Sequence, residues 1–241
     1  MANNLKAASL PLEARPEKMP TPLQKHCSFW DRDNDGIIKL SDVYQGFREL
    51  GFSIPFSMLS FLIPVFFSYP TKLAHSYFPD PRFRIYLDGI HKAKHGSDTG
   101  IFDLDGNIRE TEFDNIFARF DEDGSGGLNR TALLNMVARD RLAADPAGWT
   151  FSYMEWSTTW LLMQRDGRIW KDDLKQCYDG SLFWRIREEN MKEKQAWKQG
   201  YGLKDFWLEM DGFVPRWVVV ATMVALVGIC TLLSYSWIVR T

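Results

Sequence analysis

Three aspartates alternate along the run Asp31-Arg-Asp33-Asn-Asp35-Gly36-Ile37-Ile38. Alternation sets hard carboxylate oxygens at positions 1, 3 and 5 of a twelve-residue EF-hand loop covering residues 31–42. Gly36 falls where that loop turns sharply, and Ile37 offers its carbonyl at position 7. Ile38 is the apolar residue that pairs with a partner loop, and Asp42 closes the ligand set at position 12. Three like charges this close repel one another unless a cation lies between them, so the run reads as a Ca2+ site. Two positions weaken it. Asp42 is one methylene shorter than the usual glutamate, and Lys39 at position 9 has no oxygen to give. The expectation is weak calcium binding with a reduced preference over Mg2+. A solvated Asp/Asn turn is the competing explanation, and Gly36 and Ile38 favour the metal.

The second chemistry-bearing set is the histidines, of which there are four. His26 lies just before the loop, on a helix face shared with Leu23, Cys27 and Trp30. Taken alone, a histidine on an apolar face is more often a hydrogen-bonded core residue than a ligand. His91 and His95 are spaced i, i+4, on a helix expected from Arg84 to Gly96. Such a pair can bind zinc or iron. There is no HExxH motif and no third ligand nearby, so a solvated helix end is the other reading.

These residues need helices to hold them. Pro22 to Trp30 reads as the helix entering the loop, and the stretch from Ser41 or Asp42 to Leu50, stopped at Gly51, as the one leaving it. Degenerate copies of the loop recur at 101–112, 121–132 and 162–173. The copy at 121–132 keeps Asp121, Asp123, Ser125 and Asn129 as a second, weaker cation site; the other two read as structural turns. Between them an apolar segment, 54–69, carries Pro55 and Pro64. Those prolines make a pocket wall or a surface-lying element the preferred reading over a straight membrane span. Pro70, Pro79 and Pro81 mark an irregular turn region after it.

Composition limits the partners. The formal net charge of the 241 residues is −2, which argues against nucleic acid. Three widely spaced cysteines without CxxC suggest a reducing compartment and no disulfide framework. Residues 1–21 read as a disordered arm and 201–216 as a juxtamembrane linker. The run 217–239 has no charged residue. At ~1.5 Å per residue it is long enough for a ~30 Å hydrocarbon core, with Trp217, Tyr235 and Trp237 near its ends. The expectation is a tail anchor with a cytosolic domain at 22–200.

Four blocks carry a family resemblance. Leu23-Gln-Lys-His-Cys-Ser-Phe-Trp-Asp-Arg-Asp-Asn-Asp-Gly-Ile-Ile38, Tyr44-Gln-Gly-Phe-Arg48, Ile90-His-Lys-Ala-Lys-His-Gly-Ser-Asp98 and Cys177-Tyr-Asp-Gly-Ser-Leu-Phe183 resemble the caleosin/peroxygenase family, its fungal branch more than its seed proteins. The resemblance implies a calcium-dependent, haem b-containing peroxygenase of lipid droplets or the endoplasmic reticulum. It implies His26 and His95 as haem iron ligands, with His91 as the alternative to His95. It implies transfer of oxygen from a fatty-acid hydroperoxide to unsaturated lipids. Three features depart from the pattern: Asp42 in place of glutamate, a looser proline segment at Pro70…Pro79-Asp-Pro81, and the terminal run.

The expected fold is mostly α: helix–loop–helix units of EF-hand type, a central apolar segment and a C-terminal transmembrane helix. The competing function is a non-catalytic, calcium-responsive scaffold at a membrane or lipid droplet. A calmodulin-like sensor is weaker, for want of a second complete loop and a methionine-rich groove.

Overall fold

The computed structural model describes residues 20–192, with Ala221, Val224 and Gly228, which are helical. The expected arm, the linker and, those three positions apart, the terminal run therefore lie outside the described residues.

Among the described residues the protein is mostly helical, and its helices are arranged as two pairs of helix–loop–helix units. In the first pair, α1 (Pro22–Ser28) leads into loop 31–42, which contributes β1 (Ile37–Ile38) and gives way to α2 (Leu40–Glu49). α1 starts on a capping box: Thr21 Oγ1 accepts from the Gln24 amide, and the Gln24 side chain accepts from the Thr21 amide. Pro22 stands in the first turn, where no amide proton is needed. The partner unit is built from α3 (Ile54–Leu59), α4 (Leu62–Lys72), β2 (Ile85–Tyr86) and a 3-10 helix (Leu87–Ala93). β1 and β2 run antiparallel, with Ile38 opposite Ile85.

That register exposes a partner loop that the sequence hides. Two residues before Ile38 stands Gly36 at φ 78°, and two before Ile85 stands Phe83 at φ 51°. Both take the left-handed backbone, but only the first loop has a glycine to do so. Where the first loop presents acids, the second is held by its own cation: Arg84 Nε donates to Asp80 Oδ2 at 2.7 Å, and Tyr86 Oη donates to the same oxygen at 2.7 Å.

The second pair repeats the plan. α5 (Glu110–Phe120), β3 (Gly127–Asn129) and α6 (Arg130–Arg139) form one unit, α7 (Pro146–Met163), β4 (Arg168–Trp170) and α8 (Lys171–Tyr178) the other. β3 and β4 are antiparallel, with Leu128 opposite Ile169, both fully buried. α9 (Ser181–Lys192) then closes the described part of the chain.

Two sequence expectations need correction, and the turn expected at 101–112 takes a more specific form. The stretch from Arg84 is not one helix to Gly96: it is strand, then 3-10 helix ending at Ala93, so His91 and His95 share no helix face. The segment 101–112 is a tight turn closed by an antiparallel bridge between Phe102 and Ile108, entered from irregular chain and leading into α5. Pro70 lies inside α4, and Pro64 stands in its first turn, where proline is tolerated. The break in the apolar segment falls before it, at Ser60 and Phe61.

Hydrophobic packing joins the two pairs into one core, with Phe66 of α4 edge-on to Phe151 of α7 at 4.4 Å. Phe52 and Phe56 stack at 4.7 Å and 13°, Phe47 tilts against both, and Trp30 packs on Phe47. Phe29 and Phe183 bring α1 against α9. In α7, Tyr153, Trp156, Trp160 and Leu161 are all buried, as expected of a helix with neighbours on more than one side. Ile54–Lys72, at a mean hydropathy of 1.4, is also long and apolar enough to cross a membrane.

Candidate functional site

Between the two pairs lies a cavity of about 400 Å3. Its wall is largely apolar: Phe56, Ile63, Phe67, Ile101, Phe151 and Leu162 contribute to it. The apolar segment is thus one of its walls, through α3 and α4. Into this cavity face two histidines, His26 from α1 and His95 from the segment after the 3-10 helix. His91 is not among the residues that line it.

His26 is fixed from several directions. Its Nδ1 lies 2.7 Å from the carbonyl oxygen of Cys177, at the end of α8. A carbonyl can only accept, so Nδ1 carries the proton and Nε2 keeps its lone pair. Phe183 and Phe102 set their rings edge-on to the imidazole, at centroid distances of 5.0 and 6.4 Å. Burial lowers the histidine's pKa, against the raising effects of the Cys177 carbonyl, Glu155 and Asp179, so His26 is held neutral. The contact depends on Gly180, which sits at φ 79° against α1. A Cβ there would fall 2.6 Å from the Lys25 carbonyl oxygen and 2.7 Å from His26 Cα. The block Cys177–Phe183 therefore has a job: it delivers one carbonyl, one close approach and one ring to His26.

His95 has the opposite surroundings. Its Nε2 is 3.6 Å from Glu155 Oε2, and its Nδ1 is 3.9 Å from Asp145 Oδ2. Neither distance is a hydrogen bond, and Nδ1 is buried without a hydrogen-bond partner. Burial lowers the pKa of His95, but Glu155, Asp98 and Asp145 outweigh it and the net direction is up. Asp145 caps α7 by accepting the Gly148 amide and anchors the next block by accepting both the amide and hydroxyl of Ser97, each at 2.9 Å. That anchor sets His95 facing α7, on which Glu155 stands.

The aspartates of the first loop converge. The ligand oxygens of Asp31, Asp33 and Asp35 lie within 4.8 Å of one another. Asp31 accepts the amides of Asp35 and Gly36 at 3.2 and 2.9 Å, which shapes the turn. Asp42 is buried and accepts the Lys39 amide at 2.8 Å, as an N3 residue capping α2. Lys39 reaches over the loop, with Nζ 2.5 Å from Asp33 and 3.1 Å from Asp35. The oxygen-rich donor set fits a hard divalent cation.

The loop at 121–132 is arranged otherwise. The Arg168 guanidinium, from the paired strand, bonds both oxygens of Asp123, the Ser125 hydroxyl at 2.8 Å and the Gly127 carbonyl at 3.0 Å. Asp121 accepts the Gly126 amide at 2.7 Å, and Asn129 caps α6 through the Ala132 amide. Arg168 is already close to the acids proposed as the weaker site.

Sequence reasoning missed Glu155, Asp145, Gly180 and Arg168. An aspartate before proline at the start of a helix signals a cap at Asp145. Glu155, inside an aromatic-rich helix, gives no local signal at all. Cys27 is free and buried, Cys177 is free and half-buried, and desolvation pushes each thiol up to about 12, well away from a reactive thiolate.

Paired helix–loop–helix units around an apolar cavity with inward histidines define a helical protein built to hold an apolar ligand or cofactor. A family model described as "Caleosin related protein" matches residues 18–187, and the chain belongs to the caleosin/peroxygenase family. It is similar to "Peroxygenase" of Lilium longiflorum, 35% identical over 69% of this chain and 70% of that one. "Probable peroxygenase 4" of Arabidopsis thaliana is 32% identical over 69% of this chain and 86% of its own. "Probable inactive peroxygenase-like protein" of the same plant is 27% identical over 42% of this chain and 49% of its own. No solved structure matches. Family membership and the apolar stretch Ile54–Lys72 together mark a membrane- or lipid-associated protein.

Proposed function

We propose that this protein is a calcium-binding, haem-dependent peroxygenase that takes fatty-acid hydroperoxides as oxygen donors and unsaturated lipids as acceptors. The enzyme class follows from the family and from the two relatives at 35% and 32% identity that bear the name peroxygenase. One observation carries the haem: His26 and His95 face the same apolar cavity, and His26 has its Nδ1 committed to a carbonyl. A metal-bound histidine typically donates its other ring N–H to such a partner, which fixes ring and tautomer. A cavity of about 400 Å3 lies within the ~300–1,000 Å3 of ligand and cofactor sites. The buried, unpartnered Nδ1 of His95 is a further sign of a missing polar ligand.

When bound, haem would supply cleavage of the peroxide O–O bond and delivery of one oxygen atom to the acceptor. The rest falls to the protein. His26 and His95 would hold or face the iron. Phe56, Ile63, Phe67 and Phe151 exclude water and give an acyl chain an apolar surface to lie on.

Loop 31–42 is proposed as an EF-hand site for Ca2+, with Mg2+ as a competitor, held by Asp31, Asp33, Asp35, the Ile37 carbonyl and Asp42. The proposed location is the endoplasmic reticulum or a lipid droplet, with 217–239 as the tail anchor. The test is the visible spectrum of full-length protein made with a haem supply, read beside conversion of a fatty-acid hydroperoxide. A Soret band with hydroperoxide-dependent epoxidation is expected. A folded, calcium-loaded and colourless protein would refute the haem assignment.

A further inference from the structure

We propose that Tyr178 and Thr99 form an oxygen-recognising subsite of the cavity: a hydroxyl pair that gives one hydrogen bond to the oxygen carried on an acyl chain, a hydroperoxide before turnover and an alcohol after it. This rests on the peroxygenase reading above and names the residues that would select its oxygenated lipid.

Proton counting carries the inference. Tyr178 ends α8, Thr99 follows the Ser97 anchor, and both line the cavity. Their hydroxyl oxygens lie 3.1 Å apart and share one hydrogen bond, in which either can be the donor. Two hydroxyls bring two protons, and that bond uses one. Whichever donates, the other's proton is left over, and among the described residues neither hydroxyl makes a second hydrogen bond. Ionisation does not remove the surplus: burial pushes the Tyr178 phenol far above its ordinary value, so it stays protonated. Ser60 and Thr159, also on the wall, have spent their protons. Ser60 donates to the Ser57 carbonyl at 2.6 Å and Thr159 to the Glu155 carbonyl at 2.7 Å. A buried donor without an acceptor is costly, and in a wall this apolar the acceptor has to arrive with what fills the cavity.

The pair is also held still. The Tyr178 ring meets Phe102 and Phe113 edge-on, at centroid distances of 5.2 and 6.1 Å. Thr99 lies between two fixed points: Ser97, bound to Asp145, and Gly100, whose amide donates to Asp98 at 2.6 Å. Tyr178 follows Cys177, whose carbonyl holds His26, and Phe102 packs on both His26 and Tyr178, so the hydroxyls stand on the His26 side of the cavity. A few placed polar groups in an apolar pocket fix the orientation of what enters. A plain acyl chain has nothing on its mid-chain carbons to accept the spare proton. A hydroperoxide or alcohol has, so the pair favours the oxygenated chain, and the unsubstituted acceptor lipid is left to the apolar wall.

The experiment uses the full chain with haem, in detergent: wild type, Tyr178→Phe, Thr99→Val and the double variant. Linoleic acid and its mid-chain hydroxy derivative, an unreactive stand-in for the hydroperoxide, each displace a fluorescent fatty acid. The quantity read is the ratio of the two dissociation constants, in which the unequal solubility of the acids cancels between variants. The double variant is expected to shift that ratio against the hydroxy acid by about threefold to tenfold, with affinity for linoleic acid held. Each single variant keeps one hydroxyl but removes the partner that aims it, and is expected to shift the ratio by about twofold. An unchanged ratio in the double variant overturns the subsite. So does an equal weakening of both acids, the result of a bond that merely ties α8 to the segment bearing Thr99. If circular dichroism shows the double variant unfolded, two folded single variants with the wild-type ratio overturn it instead. The parent reading fails separately: a wild type without haem refutes it, and the ratio still decides the subsite.

Discussion

The ammonium of Lys39 lies 2.5 Å from Asp33 and 3.1 Å from Asp35, so the loop supplies its own cation to two of its three convergent acids. The same contact holds the Asp33 carboxyl below its ordinary range and the Lys39 ammonium above its own. A divalent ion entering the loop has to displace that side chain.

Removing the tethered charge should therefore strengthen metal binding. Lys39→Gln is expected to tighten Ca2+ by roughly threefold to tenfold, the range of two exposed ion pairs. Asp31→Ala should abolish the event. Calorimetry with Ca2+ and Mg2+ decides it: equal affinities in wild type and Lys39→Gln would show that the lysine does not compete.

Arg168 makes the complementary case. With its guanidinium on Asp123 and Ser125, wild type is expected to show one calcium event, from the first loop. Arg168→Ala should add a second, weaker one. Two events in the wild type, both lost only on combining Asp31→Ala with Asp121→Ala, would put calcium in the 121–132 loop despite the arginine.

Gly180→Ala tests how closely α8 must approach α1. The new methyl group meets the backbone of Lys25 and His26, and the residue is left at φ 79°. A cost of about 1–3 kcal/mol in stability is expected for an alanine in that backbone region. Haem retention should fall further than in a distant variant such as His75→Ala. Denaturant unfolding and haem content together separate strain from ligand misplacement.

The pair His95–Glu155 gives stability a pH dependence. The folded-state pKa of His95 is raised above 6.5, so its contribution is fully present below about pH 6.5 and is lost as pH rises through the folded value. In haem-free protein the thermal midpoint of the wild type should exceed that of Glu155→Gln more at about pH 6 than at about pH 9. An equal gap at both values would mean that the carboxylate does not hold the proton on His95.

The first loop was legible because its chemistry is written in consecutive residues: alternating acids, a glycine, an isoleucine. His26 and His95 were legible as candidates only through the family blocks, since neither helix face nor spacing distinguishes a ligand from a core histidine. The partner loop around Phe83 was not legible, because a non-glycine residue takes the left-handed turn and an Asp80–Arg84 pair stands where acids would be read. The i, i+4 reading of His91 and His95 failed because the chain there makes a 3-10 turn and then leaves the helix. Glu155 and Arg168 act across the fold, Arg168 on residues 43 and 45 positions away, and no local window contains such pairs.

The bond between His26 and the Cys177 carbonyl spans 151 positions of the chain. A ribosome emitting this protein releases the first histidine early and its anchoring carbonyl late. Until α8 and the Gly180 turn have emerged and docked, the imidazole has no fixed tautomer and the cavity no closed wall. On the haem reading proposed above, cofactor capture would be tied to completion of the domain: a nascent or truncated chain ending before Cys177 would bear the loop, both histidines and the apolar segment, yet would lack the carbonyl that fixes the tautomer of His26.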